Sequence, residues 1–107
     1  MVYHRPVADR PHPSVSPPSS FCFSVHGDAD IGVLARLLEV VAKRGLLPAR
    51  LHSDLVPETA ELLVDLQLAD LAPPLGEEMA RAMRRIVGVR HVLTAVKIAA
   101  EPLALTA

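Results

Sequence analysis

The sequence predicts an α+β protein with the element order β-α-β-β-α-β, and three observations carry that prediction. Apolar and polar residues alternate in the stretches around Phe21, Leu51 and Leu62, which is the pattern of half-buried strands. Apolar residues recur at helical spacing around Leu37 and Met79. Gly, Pro and Asp clusters punctuate the boundaries between these stretches. A chain of 107 residues has room for one modest core. Half of it is hydrophobic and only 3% aromatic, so Leu, Val, Ile and Ala must fill that core.

The first strand places Phe21, Phe23 and Val25 on one face and Cys22, Ser24 and His26 on the other. The turn Gly27-Asp28-Ala29-Asp30 follows, with Asp30 positioned to cap a helix. That helix buries Leu34, Leu37, Leu38 and Val41 and turns Arg36, Glu39 and Lys43 to solvent. Lys43 and Arg44 suit its negative end, and Gly45 suits the position just past it. A second strand runs from about 47 to 56, with Ala49, Leu51, Ser53 and Leu55 alternating against Arg50, His52 and Asp54. Pro57-Glu58-Thr59 turns the chain into a third strand, about 60 to 69, which buries Leu62, Val64, Leu66 and Leu68. So short a connection makes the two an antiparallel hairpin. Pro73-Pro74 breaks the chain ahead of a second helix, about 75 to 87, with Met79, Ala82, Met83 and Ile86 as its inner stripe. Glu77 and Glu78 at its start and Arg84 and Arg85 at its end complement the helix dipole. Gly88 ends it, and 89–98 forms the last strand. With right-handed crossovers this order gives a ferredoxin-like sandwich, a four-stranded antiparallel sheet with both helices on one face. The other face is left open and polar, displaying Ser24, His26, Arg50, His52, Asp65 and Gln67.

Residues 1–19 hold five of the ten prolines, mixed with Ser, His and Arg, and are expected to form a flexible arm. The ordered domain is expected over 20–98 and a C-terminal tail over 99–107. The net charge is −1 with no basic stripe, which argues against a nucleic-acid surface. No run approaches the roughly 20 apolar residues that cross a bilayer, and the N-terminus lacks the apolar region of a signal peptide. A cytoplasmic protein without membrane contact is therefore expected. Cys22 is the only cysteine, which excludes an internal disulfide or a cysteine metal cluster. It reads as a small residue beside the core.

The stretch Asp30-Ile31-Gly32-Val33-Leu34-Ala35-Arg36, followed by Val40-Val41-Ala42-Lys43-Arg44-Gly45, resembles the first loop and helix of an ACT domain. The later run Ile86-Val87-Gly88-Val89-Arg90-His91-Val92 agrees, so the resemblance spans about 20–98. Within that family, Leu38 to Gly45 is similar to the small regulatory subunit of acetolactate synthase. The resemblance implies a non-enzymatic regulatory module, a homodimer with sheets joined side by side, and a catalytic subunit of a biosynthetic enzyme as partner. It also implies an amino-acid effector at the first loop, with Asp28, Ala29, Asp30, Ile31, Gly32, Val33 and Leu34 as ligand-binding residues and no cofactor. Gly32 matches the loop glycine, and Val33 and Leu34 match the positions that begin the helix. Two positions depart from the pattern: Ala29 stands where many members carry Asn or Asp, and Ile31 where they carry Pro or Ser. The side chain lost at position 29 is a partner for the effector's ammonium group, a role open to Asp28 or Asp30.

Sharper chemistry fails on the residues. His26, His52 and His91 suggest a metal, but a strand lies between the first and second, separating His26 from His52 by about 9–10 Å. No metal site is expected. A copper-chaperone reading needs Cys-x-x-Cys in the first loop, and an acylphosphatase reading needs an arginine cradle there; the loop holds Asp28-Ala29-Asp30-Ile31 instead. Asp28 and Asp30 are better read as a cap and a solvated carboxylate than as an acid–base pair. Nothing resembles a phosphate loop or a nucleophile motif. A protein-interaction module that works by sheet extension, with no small-molecule ligand, is the alternative.

Overall fold

The computed structural model describes residues 19–98. The proline-rich arm and the C-terminal tail lie outside the described residues, apart from Ser19, which opens the first strand. The elements are β1 (Ser19–Asp28), α1 (Ile31–Ala42), β2 (Arg50–Val56), β3 (Glu61–Ala69), α2 (Pro73–Arg84) and β4 (Val89–Ile98). They form one antiparallel sheet in the order β2-β3-β1-β4. This is the predicted ferredoxin-like α+β sandwich.

The alternation of β1 dictates the core. Phe21, Phe23 and Val25 are buried on one face, opposite Leu68, Leu66 and Val64 of β3. On that face α1 contributes Val33, Leu37 and Val41, one residue per turn of the helix, and α2 contributes Met79, Ala80 and Met83. On the other face the register aligns Asp65, Ser24 and Leu93 in one row and Leu63, His26 and His91 in the next. β1 and β3 run antiparallel, so the helices that follow them run opposite ways, and the end of α2 lies beside the start of α1.

One irregularity interrupts the sheet. His26 pairs with His91, but Gly27 pairs with Val89, so Arg90 is an extra residue on β4 at a bulge.

Several boundaries differ from expectation. The two prolines do not precede α2; they form its first turn, where proline's missing N–H is not needed. Glu77 and Glu78 consequently fall in the second turn, and no acidic residue lies in the first. Glu77 instead accepts a hydrogen bond from Thr94 of β4 at 3.0 Å. Asp30 sits at the N-cap of α1, but its side chain makes no cap hydrogen bond. At the other end Gly45 adopts φ 69°, as expected past a helix, and Arg44 donates to the Val40 carbonyl at 2.9 Å. β2 begins at Arg50, after Pro48, and not near Leu47. It overhangs the helical layer: Leu51 and Leu55 face the helix side yet remain 46% and 62% exposed.

Gly76, inside α2, is a close-packing position that the apolar stripe alone did not reveal. A Cβ there would come within 2.5–2.6 Å of the Phe21 ring, so glycine is what lets α2 sit directly on β1. Alanine in a helix normally gains about 0.5–1 kcal/mol over glycine. Here overpacking should reverse the sign, and Gly76→Ala is expected to cost on the order of 1 kcal/mol or more. The measurement is thermal unfolding, in which each kcal/mol moves Tm by about 4–8 °C for a domain of this size. An unchanged or higher Tm would mean that Phe21 has room to retreat.

Candidate functional site

The turn between β1 and α1 is held from several sides. The Asp28 amide donates to the Gly88 carbonyl at 2.8 Å, and the Ala29 amide to the Ala60 carbonyl at 3.1 Å. Ala60 itself has φ 54°, a left-handed conformation that points to local strain in the β2–β3 connection. The Asp30 amide donates to the Asp28 carbonyl, and the Val33 amide to the Asp30 carbonyl at 2.9 Å. This backbone turn starts the helix without a side-chain cap.

Beneath the turn, Val33 is buried against two glycines. A Cβ at Gly27 would lie 3.2 Å from one Val33 methyl, and one at Gly88 would lie 2.7 Å from the other. Gly88 also has φ 100°, which disfavours any side chain there. Val33 therefore serves the core, and Leu34 is half-buried against it. Asp28, Ala29, Asp30 and Ile31 are exposed, and Gly32 is partly so.

The two aspartates of the turn have different fates. Asp28 Oδ1 accepts from Arg90 Nη2 at 2.7 Å, and the same guanidinium reaches Glu61 Oε2 at 3.1 Å. The bulge frees Arg90 from strand alternation and lets it span both carboxylates. Asp28 is thereby satisfied. Asp30 has neither a cap bond nor an ion-pair partner among the described residues. Of the two acids, Asp30 is the one left to meet an incoming cation.

Two depressions adjoin Asp30 and Gly32. One, of about 530 Å³, lies on the outer face of α1 over Gly32, Ala35, Arg36, Leu38, Glu39 and Ala42. The other, about 470 Å³, runs between the start of α1 and the end of α2. It is lined by Asp30, Arg36, Ala82, Arg85, Ile86 and Val87. Arg85, Ile86 and Val87 were not among the expected ligand-binding residues, because only the antiparallel pairing of the helices brings them to the turn. The signal in the sequence was indirect: Arg85 and an exposed apolar residue, Val87, just before Gly88.

The open sheet face holds a smaller depression of about 210 Å³, with His26, His52, Asp54 and Asp65 among its lining residues. β3 separates β1 from β2, as expected, and His52 pairs with Asp54 at 3.3 Å. His91, whose face was open in the sequence, lies opposite His26 with ring centroids 5.8 Å apart. Among the described residues no group of three metal-ligating side chains converges. No helix among them is long and apolar enough to cross a membrane.

No protein-family model matches the sequence, and no curated protein does. Solved structures do match. The ACT domain from GTP pyrophosphokinase of Chlorobium tepidum aligns with a TM-score of 0.61 at 12% identity, over 71% of this chain and 96% of that one. The C-terminal domain of the MgtC protein from Mycobacterium tuberculosis gives 0.62 at 12% identity, over 82% of this chain and 97% of that one. The regulatory subunit of aspartate kinase from Thermus flavus gives 0.56 at 9% identity, over 78% of this chain and 53% of that one. At these identities the likeness is one of fold, and a fold by itself names no ligand. The chain has the fold of an ACT domain.

Proposed function

We propose that this protein is a free-standing regulatory module that binds an amino-acid effector beside the β1–α1 turn and modulates a metabolic enzyme. It works by binding and catalyses no reaction of its own. The observation that carries this reading is the division of labour in the turn. Its main chain is tied to Gly88 and Ala60 and its Asp28 side chain is held by Arg90, while the Asp30 carboxylate has neither a cap bond nor an ion-pair partner among the described residues. A rigid loop with unspent polar groups binds without first having to order itself. Asp28, Ala29, Asp30, Ile31 and Gly32 form the outer wall of this site, and Val33 and Leu34 anchor it from below.

The module acts as a homodimer joined through the outer edge of β2 and the neighbouring face of α1. Supporting this, the outer edge of β2 is unpaired among the described residues, and Leu47, Leu51 and Leu55 are 87%, 46% and 62% exposed. The similarity of Leu38–Gly45 to the acetolactate synthase small subunit favours a cytoplasmic biosynthetic enzyme's catalytic subunit as the target. The same exposed edge favours a second reading, an interaction module that joins partners by sheet extension and binds no small molecule.

Two measurements separate these readings. In a thermal-shift screen with the twenty amino acids at millimolar concentration, an effector present at 100 times its Kd adds about 2.7 kcal/mol. A rise with one chemical group of amino acids is expected; no rise with any of them leaves the interaction module. For the dimer, sedimentation at micromolar concentration should give twice the monomer mass, and Leu51→Lys should shift it to monomer without lowering helix content. A wild-type monomer would overturn the assembly.

A further inference from the structure

The groove between the start of α1 and the end of α2 gives the amino-acid reading a ligand class, and the inference rests on that reading. Three charged side chains line it: the guanidinium groups of Arg36 and Arg85 and the carboxylate of Asp30. None of the three has an ion-pair partner within 4 Å among the described residues. Arg36 Nη1 makes only a long 3.4 Å contact to the Gly32 carbonyl. Two arginines next to the groove in sequence or at the turn are engaged, Arg90 with Asp28 and Glu61 and Arg84 with the Val92 carbonyl.

Gly32 adds an independent constraint. A Cβ at that position would lie 3.0 Å from Arg36 Nη1 and 3.3 Å from Asp30 Oδ2. A cation and an anion thus flank one notch, which exists because residue 32 has no side chain. An α-amino acid presents a carboxylate and an ammonium group one carbon apart, the complement of that arrangement. Ala82, Ile86 and Val87 provide the apolar wall, with Val87 90% exposed.

The charge count then selects among amino acids. Two guanidinium groups and one carboxylate match two carboxylates and one ammonium. A ligand with a single carboxylate leaves one guanidinium without a partner and forgoes one charge-assisted hydrogen bond. A dicarboxylate or phosphate without an ammonium group meets Asp30 as a like charge. We infer that the groove binds an acidic α-amino acid, with its ammonium on Asp30, its two carboxylates on Arg36 and Arg85, and its methylene groups over Ala82, Ile86 and Val87. Charge-assisted pairs of this kind, bidentate at arginine, are the stronger class of hydrogen bond.

The test is titration calorimetry of the full chain with L-glutamate and L-aspartate, beside glutamine, asparagine, leucine, valine and glutarate. One of the two acidic amino acids should bind, and its amide and glutarate should bind at least about tenfold more weakly, a difference of 1.4 kcal/mol. Arg85→Gln should weaken binding at least as much. Gly32→Ala should weaken it by filling the notch. Arg81→Gln, on an exposed part of α2 outside the groove, should leave it unchanged. Binding of leucine or valine in preference to the acids would overturn the ligand class while leaving the amino-acid module standing. Equal affinity for glutamate or aspartate in wild type and Arg85→Gln would overturn the groove. No binding by any of these amino acids, together with a flat thermal-shift screen, would overturn both.

Discussion

The close seat of Val33 between Gly27 and Gly88 is the contact on which the rest of this structure depends. It brings together the end of β1, the first turn of α1 and the approach to β4, three places far apart in the chain. A Cβ at Gly88 would collide with Val33, and one at Gly27 would collide with the Gly88 carbonyl and crowd Val33. Because α1 cannot move away, Leu37 and Val41 on the same face enter the core in step with it. A second close approach, Gly76 over Phe21, does for α2 what the first does for α1. Glycine is used at both places for absence of bulk, and both helices are pinned to the central strand that the sheet also pairs on both sides.

Charge is distributed around the turn with the same economy. Arg90, displaced by the bulge, pairs with both Asp28 and Glu61 and ties β4 to the turn and to β3. These are partly exposed pairs, so each adds at most about 1 kcal/mol and weakens with salt. Their larger effect is on orientation. With Asp28 paired, Asp30 is the acid of the turn that has no ion-pair partner among the described residues, and it lines one groove with Arg36 and Arg85.

The architecture was legible in the sequence because half-buried strands and amphipathic helices carry period-2 and period-3.6 patterns. β1 and β3 show their inner faces without ambiguity, as Phe21-Phe23-Val25 and Leu62-Val64-Leu66-Leu68. β4 was harder. A bulge shifts the phase of alternation by one residue, and neither the face of His91 nor the reach of Arg90 can be read across it. The start of α2 was hidden for another reason: Pro73-Pro74 serves equally to stop a chain and to open a helix. Asp30 has the right residue type for a cap, yet the local backbone turn satisfies the helix start, and nothing in the local sequence distinguishes the two solutions. Of the residues lining the groove between the helices, Asp30 lies on the segment singled out in the sequence, Asp28 to Leu34. Arg85 to Val87 are reached only through the antiparallel packing of α1 and α2, two helices separated in the chain by the whole β2–β3 hairpin.

The Arg90 bridge and the Asp28–Gly88 hydrogen bond also bear on how the protein is made. They join Asp28 at the end of β1 to β4 and to Gly88 just before it, a separation of 62 residues for the Arg90–Asp28 pair. Such long-range contacts form late, after the intervening loop entropy has been overcome. A nascent chain can therefore pair β2 with β3 and coil both helices while the β1–α1 turn still lacks its final braces. The surface around the β1–α1 turn acquires its final shape only when β4 has docked, so its geometry reports on completion of the fold.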